Sequence, residues 1–123
     1  MKARPSLVAD LADTLAFYIK AEGLPPGERE YRGIEGRRFR FDLAWVEEKL
    51  AVEVDGGLHT YGRHNRAYGI ESDCEKQCLA VVNGWRVLRV TKSMIESGQA
   101  VKFIREALRR TGLPQRTLIE VKP

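Results

Sequence analysis

The sequence predicts an α/β fold in which helices flank one mixed β-sheet. Two observations carry this prediction: apolar residues recur at helical spacing in three segments, and segments of alternating apolar and polar residues lie between them. Three strand segments come early, followed by a long helix and one further strand. This order is expected when a crossover helix adds a parallel strand to a sheet. The predicted order is therefore α-β-β-β-α-β-α.

The bounds of the predicted elements follow from local signals. The first helix begins at Ser6, a residue suited to capping, and ends at Gly23 before two prolines. Asn83 and Gly84 close the second helix in the same way. The predicted helices cover residues 6–22, 66–82 and 98–110, and the strands cover residues 29–34, 37–45, 49–55 and 85–91. Residues 113–123 are left open between an extra strand over residues 117–121 and a loose tail.

Length and composition limit the class of protein. A chain of 123 residues has the size of one domain, so residues 1–123 are predicted to form a single unit. No apolar run approaches the ~20 residues of a membrane span, and Asp10 and Asp13 interrupt any secretory core. We therefore expect a cytoplasmic protein without a membrane partner. The net charge of +4 and the excess of arginine over lysine favour a polyanionic partner such as nucleic acid.

The two cysteines lie four residues apart in the second predicted helix. Cys74 and Cys78 are expected to be reduced and buried, on a helix face that they share with Ile70 and Val81. A zinc site that adds the two histidines is disfavoured, because neither pair has the spacing of a zinc motif.

The second and third predicted strands alternate cleanly between two faces. Their apolar faces are formed by Phe39, Phe41, Leu43 and Trp45 in one strand and by Leu50, Val52 and Val54 in the other. If the connecting loop is symmetric about residues 47–48, Asp42 faces Glu53 across the hairpin, with the Cβ atoms about 5 Å apart. Asp55 lies on the same face as Glu53. One sheet face is therefore predicted to gather three carboxylates.

Like charges placed directly opposite each other destabilise a sheet, so these acids need a cation or a proton. Two interpretations remain open at this point. The acids bind a hard cation such as Mg²⁺, which prefers carboxylate oxygens, or they lie on a solvated sheet face and pair with Arg38 and Arg40.

The segments around the two strands resemble the core of PD-(D/E)xK nucleases. Within that superfamily, they are similar to phage nucleases that are related to very-short-patch repair endonucleases and to archaeal-type Holliday junction resolvases. The resemblance covers roughly residues 30–91, and its blocks are residues 40–45, 50–57, 62–64, 73–76 and 84–89. It implies a restriction-endonuclease-like fold and a homodimeric endodeoxyribonuclease that hydrolyses phosphodiester bonds in branched DNA during DNA recombination. It also implies Mg²⁺ as the cofactor, with Mn²⁺ as a substitute, and the host cytoplasm as the location if a phage encodes the chain.

The resemblance also assigns residues to the site. Asp42 matches the first acid of the family motif and Glu53 the second, so both would be metal ligands together with the Val54 carbonyl. The lysine of the family's E-x-K falls on Asp55 here, which is a departure. Either Asp55 is a further metal ligand, or a basic residue from elsewhere takes the role, with Lys76 on the second helix as the best candidate.

Related nucleases use an upstream acid and, in one group, a histidine after the third strand. Glu30 is slightly preferred as the upstream acid over Asp10 and Asp13. His59 or His64 would act as a general base or as a phosphate donor.

Basic residues around the predicted site are expected to contact DNA phosphates. They are Arg37, Arg38, Arg40, Arg63, His64, Arg66 and Lys92. The sequence contains no helix-turn-helix and no zinc-finger spacing, which favours recognition of DNA shape over DNA sequence. Two alternatives remain: a nicking or restriction-like endonuclease at a mismatch or short site, and a DNA-binding module of this fold that has lost catalysis.

Overall fold

A computed structural model describes residues 7–56 and 66–110 of the chain. Over these residues it contains a four-stranded mixed sheet and four helices, which confirms the α/β class. The elements are α1 (Leu7–Ala21), β1 (Glu28–Tyr31), β2 (Phe41–Trp45), β3 (Leu50–Asp55), α2 (Arg66–Val82), β4 (Arg86–Thr91), α3 (Lys92–Ser97) and α4 (Gln99–Arg109). None of the helices in the described part is long and apolar enough to cross a membrane. The strand considered for residues 117–121 lies outside the described residues.

The sheet has the strand order β1-β2-β3-β4. The pairs β1–β2 and β2–β3 are antiparallel, and β4 runs parallel to β3 after the α2 crossover. Trp45 pairs with Leu50, so the hairpin has the predicted register. Lys49, with a φ of 54°, closes the turn by donating its N–H to the Val46 carbonyl at 3.1 Å. The same register, continued by one residue, brings Asp42 beside Glu53.

One face of the sheet carries the larger cluster of buried apolar residues and is covered by α1, α3 and α4. Its buried strand residues are Leu43, Trp45, Leu50, Val52, Val54 and Val90. The short helix α3 is not among the predicted elements, although its signals are present. Thr91 caps it by accepting a hydrogen bond from the Met94 N–H at 3.3 Å, and Gly98, with a φ of 88°, separates it from α4.

The other face of the sheet combines small residues with aromatic ones. Ala44 and Ala51 lie there with Trp85, Phe41 and Ala80 of α2.

The prediction that Phe39 and Phe41 share the face of Leu43 and Trp45 is therefore wrong for both phenylalanines, since Phe39 packs against the same cluster. The Phe41 ring centre lies 5.0 Å from the Trp85 ring, and this aromatic contact holds Phe41 on the cleft side.

The orientation of α2 also differs from the prediction. Ile70 and Val81 are 50% and 66% exposed, and both cysteines are exposed, so the predicted buried face points to solvent. Ala80 is buried against the sheet instead. A physical reason lies in the charges of the sheet face, since the buried carboxylate of Glu53 attracts the ammonium group of Lys76 from the same helix.

Candidate active site

An open cleft of about 330 Å³ lies between α2 and the strands β2, β3 and β4. Among the described helices, α2 is the one that packs on this face, where Ala80 is buried and Leu79 is partly buried. Charged side chains of both signs line the cleft: Arg40, Asp42, Glu53, Asp55, Asp73, Lys76 and Arg89.

The two acids of the hairpin meet at the floor of this cleft. The Val54 N–H donates to Oδ2 of Asp42 at 2.7 Å, which ties the β2 acid to the backbone of β3. Burial raises the pKa of the Asp42 carboxyl, while this hydrogen bond and the charge of Lys76 lower it. Burial also raises the pKa of Glu53, from 4.5 to about 7, although Lys76 acts in the opposite direction. A nearby cation therefore stabilises the ionised form of both carboxylates.

Lys76 reaches the cleft from α2. Its Nζ lies 2.7 Å from Oε2 of Glu53 and donates to the Arg40 carbonyl at 2.6 Å, and it lies 5.6 Å from the centre of the Phe41 ring. The side chain is 19% exposed, which fits a lysine whose stem is buried while its head contacts polar groups. The geometry thus brings together Asp42, Glu53 and Lys76, as the sequence predicts.

Asp55 is engaged differently from the two other acids. Its Oδ2 lies 3.3 Å from Nη2 of Arg89, and the same nitrogen lies 3.4 Å from Oδ2 of Asp73. Arg89 and Asp73 are site residues that sequence reasoning missed. The contact depends on the parallel register of β3 and β4, which pairs Glu53 with Arg89 and follows no local pattern.

The candidates for the upstream acid occupy different places. Glu30 pairs with Arg40 at 3.3 Å and its charge raises the pKa of Asp42, but Glu30 is not among the residues that line the cleft. Asp13 pairs with Arg29 at 2.8 Å and is not among the residues that line the cleft. The side chain of Asp10 lies outside the described part of the structure.

The structure describes the side chains of four of the basic residues predicted to contact DNA, and of these four only Arg40 lines the cleft. Arg37 pairs with Glu75 at 2.7 Å, Arg38 is exposed, and Lys92 lies 4.0 Å from Glu96. The predictions for His59, Arg63 and His64 fall outside the described residues. So does the side chain of Arg66, although its backbone begins α2.

The donors on the cleft floor fit a divalent cation of the magnesium type. Among residues 7–56 and 66–110 no group of three histidine, cysteine or acidic side chains is arranged to hold a metal. Mg²⁺, however, is commonly bound by one or two carboxylates and completes its shell with water and phosphate oxygens. Asp42, Glu53 and the Val54 carbonyl meet that requirement. Oε2 of Glu53 is buried and lies 2.7 Å from the Lys76 ammonium group, and a carboxylate has lone pairs enough to accept a further cation beside it.

No family model, curated protein or solved structure matches this chain. Its function is therefore inferred from the geometry and chemistry of the cleft.

Proposed function

We propose that the chain is a metal-dependent DNA endonuclease of the PD-(D/E)xK type, with a restriction-endonuclease-like core, that hydrolyses phosphodiester bonds in branched DNA. One observation carries the proposal: Asp42 from β2, Glu53 from β3 and Lys76 from α2 converge at the floor of one open cleft. Three separate elements supply these groups, and two of them are acids with raised pKa values. Such a concentration of perturbed groups in a cleft is typical of active sites.

Asp42, Glu53 and the Val54 carbonyl would hold the cation. A bound Mg²⁺ or Mn²⁺ would polarise the scissile phosphate and lower the pKa of the attacking water. The Val54 N–H has a separate task, because its hydrogen bond holds the Asp42 carboxylate in a fixed orientation. Reaction adds water across one P–O bond, leaving a phosphate on one product end and a hydroxyl on the other.

Lys76 takes the role that the missing E-x-K lysine would have. Its ammonium group is held by two different partners, the Glu53 carboxylate and the Arg40 carbonyl. It therefore stays at the cleft floor if Glu53 turns to a metal. A positive charge there stabilises the negative charge that develops on the phosphoryl oxygens in the transition state. Asp55 is paired with Arg89, which leaves Lys76 as the stronger candidate.

Branched DNA is the preferred substrate class because the sequence has neither a helix-turn-helix nor a zinc-finger spacing, whereas its net charge of +4 favours phosphate contacts. Resolution of a four-way junction requires two cuts related by symmetry, so the proposal includes a two-fold homodimer. An inactive DNA-binding module is the second candidate, and the acid at position 55, where the family has lysine, favours it.

A cleavage assay tests the proposal. We expect the wild-type chain to cut a synthetic four-way junction in Mg²⁺ or Mn²⁺, to bind it without cutting in Ca²⁺, and to stop cutting in EDTA. A linear duplex and a mismatched duplex serve as matched substrates. Preferential cutting of the mismatched duplex would indicate the nicking class, and binding without cutting in every metal would indicate the inactive module. Full activity after chelation would contradict the metal mechanism.

A further inference from the structure

The β4 side of the cleft carries an arginine that the proposed chemistry does not use. Arg89 projects from β4 into the cleft and is 47% exposed. Its closest contacts, to Asp55 at 3.3 Å and to Asp73 at 3.4 Å, use the same nitrogen, Nη2. A guanidinium group carries five N–H donors in a planar fork, so these two contacts leave donors available on the same side chain.

A second arginine lies on the opposite side of the cleft. Arg40 directly precedes β2, is 50% exposed and pairs with Glu30 at 3.3 Å. Since β3 lies between β2 and β4, the strands that carry the two arginines are two strand spacings apart, about 10 Å across the sheet. Lys76 contacts both sides of this interval: it donates to the Arg40 carbonyl and pairs with Glu53, the β3 residue in register with Arg89. Lys76 is also much less exposed than either arginine.

We propose that Arg89 binds the DNA phosphate next to the scissile one, on the β4 side of the cleft. This inference rests on the proposed function and gives the direction of the DNA backbone, which crosses the sheet from Arg40 over Lys76 to Arg89. Asp55 and Asp73 act as positioning residues, because they hold the guanidinium over the cleft in the free protein.

The chemistry favours exchange of these partners for a phosphate. Guanidinium binds phosphate through two parallel hydrogen bonds, whereas its contacts with the two acids are long and partly exposed. Exposed ion pairs are weak, so a phosphate competes with them. The alternative is a purely structural bridge, in which Arg89 links α2 to the sheet.

The test measures binding of the full chain to a synthetic four-way junction in Ca²⁺ at several salt concentrations. Arg89→Ala should weaken binding about tenfold or more and reduce the slope of log affinity against log salt by about one. Arg89→Lys should keep most of the salt slope because it retains the positive charge. Its affinity for the junction should still fall, because lysine lacks the planar fork of donors. Arg109→Ala is the matched control, because Arg109 is an exposed, ion-paired arginine on α4, beyond the other sheet face; it should bind as wild type does.

Asp73→Asn separates phosphate binding from a structural bridge. If Arg89 binds phosphate, this variant should keep the salt slope and bind DNA as tightly or more tightly, because a negative charge near the phosphate is lost. An Asp73→Asn variant that loses affinity as Arg89→Ala does would overturn the inference in favour of the bridge. An unchanged slope in Arg89→Ala, or an equal loss in Arg109→Ala, would overturn it as well while the proposed function stands. Wild-type protein that neither binds nor cuts the junction would overturn both.

Discussion

The two faces of the sheet differ in the residues they present and in how completely helices cover them. One face presents large aliphatic residues such as Leu50 and Val52, which three helices bury completely. The other presents Ala51 and Glu53 from the same strand to α2, and a cleft lies between them. Alternate residues of one strand thus belong to the hydrophobic core and to the candidate site, because side chains of a strand point to opposite faces in turn.

The difference has an energetic consequence. Burial of apolar side chains stabilises the fold, whereas partial burial of a carboxylate destabilises its ionised form. Substitutions on the core face should therefore lower the free energy of unfolding with little effect on chemistry. Substitutions of the acids on the cleft face should abolish chemistry while stability holds or rises.

The largest expected effect is on cleavage. Asp42→Asn or Glu53→Gln should abolish cutting of the four-way junction, because each removes a carboxylate that would hold the cation. Binding in Ca²⁺ should survive or tighten, since repulsion of phosphate is relieved. Glu47→Gln, in the turn of the same hairpin, is the control and should cut normally. Near-normal turnover in both cleft variants would contradict the assignment.

A smaller effect is expected for Lys76→Met, which keeps an apolar stem but loses the ammonium group. Cleavage should slow by at least ~10²-fold, the low end for loss of one positioned catalytic group. Because Lys76 lies outside the core, its loss should change the free energy of unfolding little at low pH. Above pH 7, where Glu53 is ionised, loss of the ion pair should lower the free energy of unfolding. Lys102→Met on α4 is the control for both measurements. Normal cleavage by Lys76→Met would mean that the site works without a relocated lysine.

The pH dependence of stability distinguishes the faces without any substrate. The metal-free folded chain binds a proton at Glu53 more tightly than the unfolded chain does, so the stabilisation is present below pH 4.5 and is lost as pH rises through about 7. The full difference between the two pKa values of Glu53 corresponds to about 3 kcal/mol in the free energy of unfolding. Urea denaturation from pH 4.5 to 8 should show this loss in wild type, and Glu53→Gln should largely remove it. Parallel profiles for the two proteins would contradict the burial of this carboxyl.

Two valines of β4 offer a matched comparison of the faces. Val90 is 1% exposed on the core face, and Val87 is half-buried on the cleft face. Val90→Ala should lower the free energy of unfolding by about 2 kcal/mol, from two lost methyl groups and the cavity they leave. Val87→Ala should lower it by less than half as much. Equal losses in thermal or urea denaturation would show that both faces are packed alike.

The smallest effects are expected on the outer side of α2. Cys74→Ser and Cys78→Ser should each change the free energy of unfolding by less than about 0.5 kcal/mol, as is usual for exposed positions. Both thiols should react with a thiol reagent in the folded protein. If the thiols react only after addition of denaturant, this result would support the buried orientation of the cysteines that the sequence predicts.

Much of the architecture and of the candidate site was predictable because it depends on local rules. The α2 bounds and the β2–β3 register agree with the prediction, since caps, glycine stops and a short symmetric turn act over a few residues. The same register brings Asp42 and Glu53 together. The roles of these residues, the metal and the DNA substrate remain predictions.

The sequence by itself thus determined which acids share a sheet face, because strand periodicity and a short turn leave one arrangement. Only the tertiary structure decided what faces those acids. The observed rotation of α2 buries Ala80 against the sheet, turns Lys76 inward and turns the cysteines outward. The pairing of Arg89 with Asp55 depends on the parallel register of β3 and β4, and the seventeen residues of α2 lie between these two strands in the sequence. Such contacts join distant segments, and no local pattern specifies them.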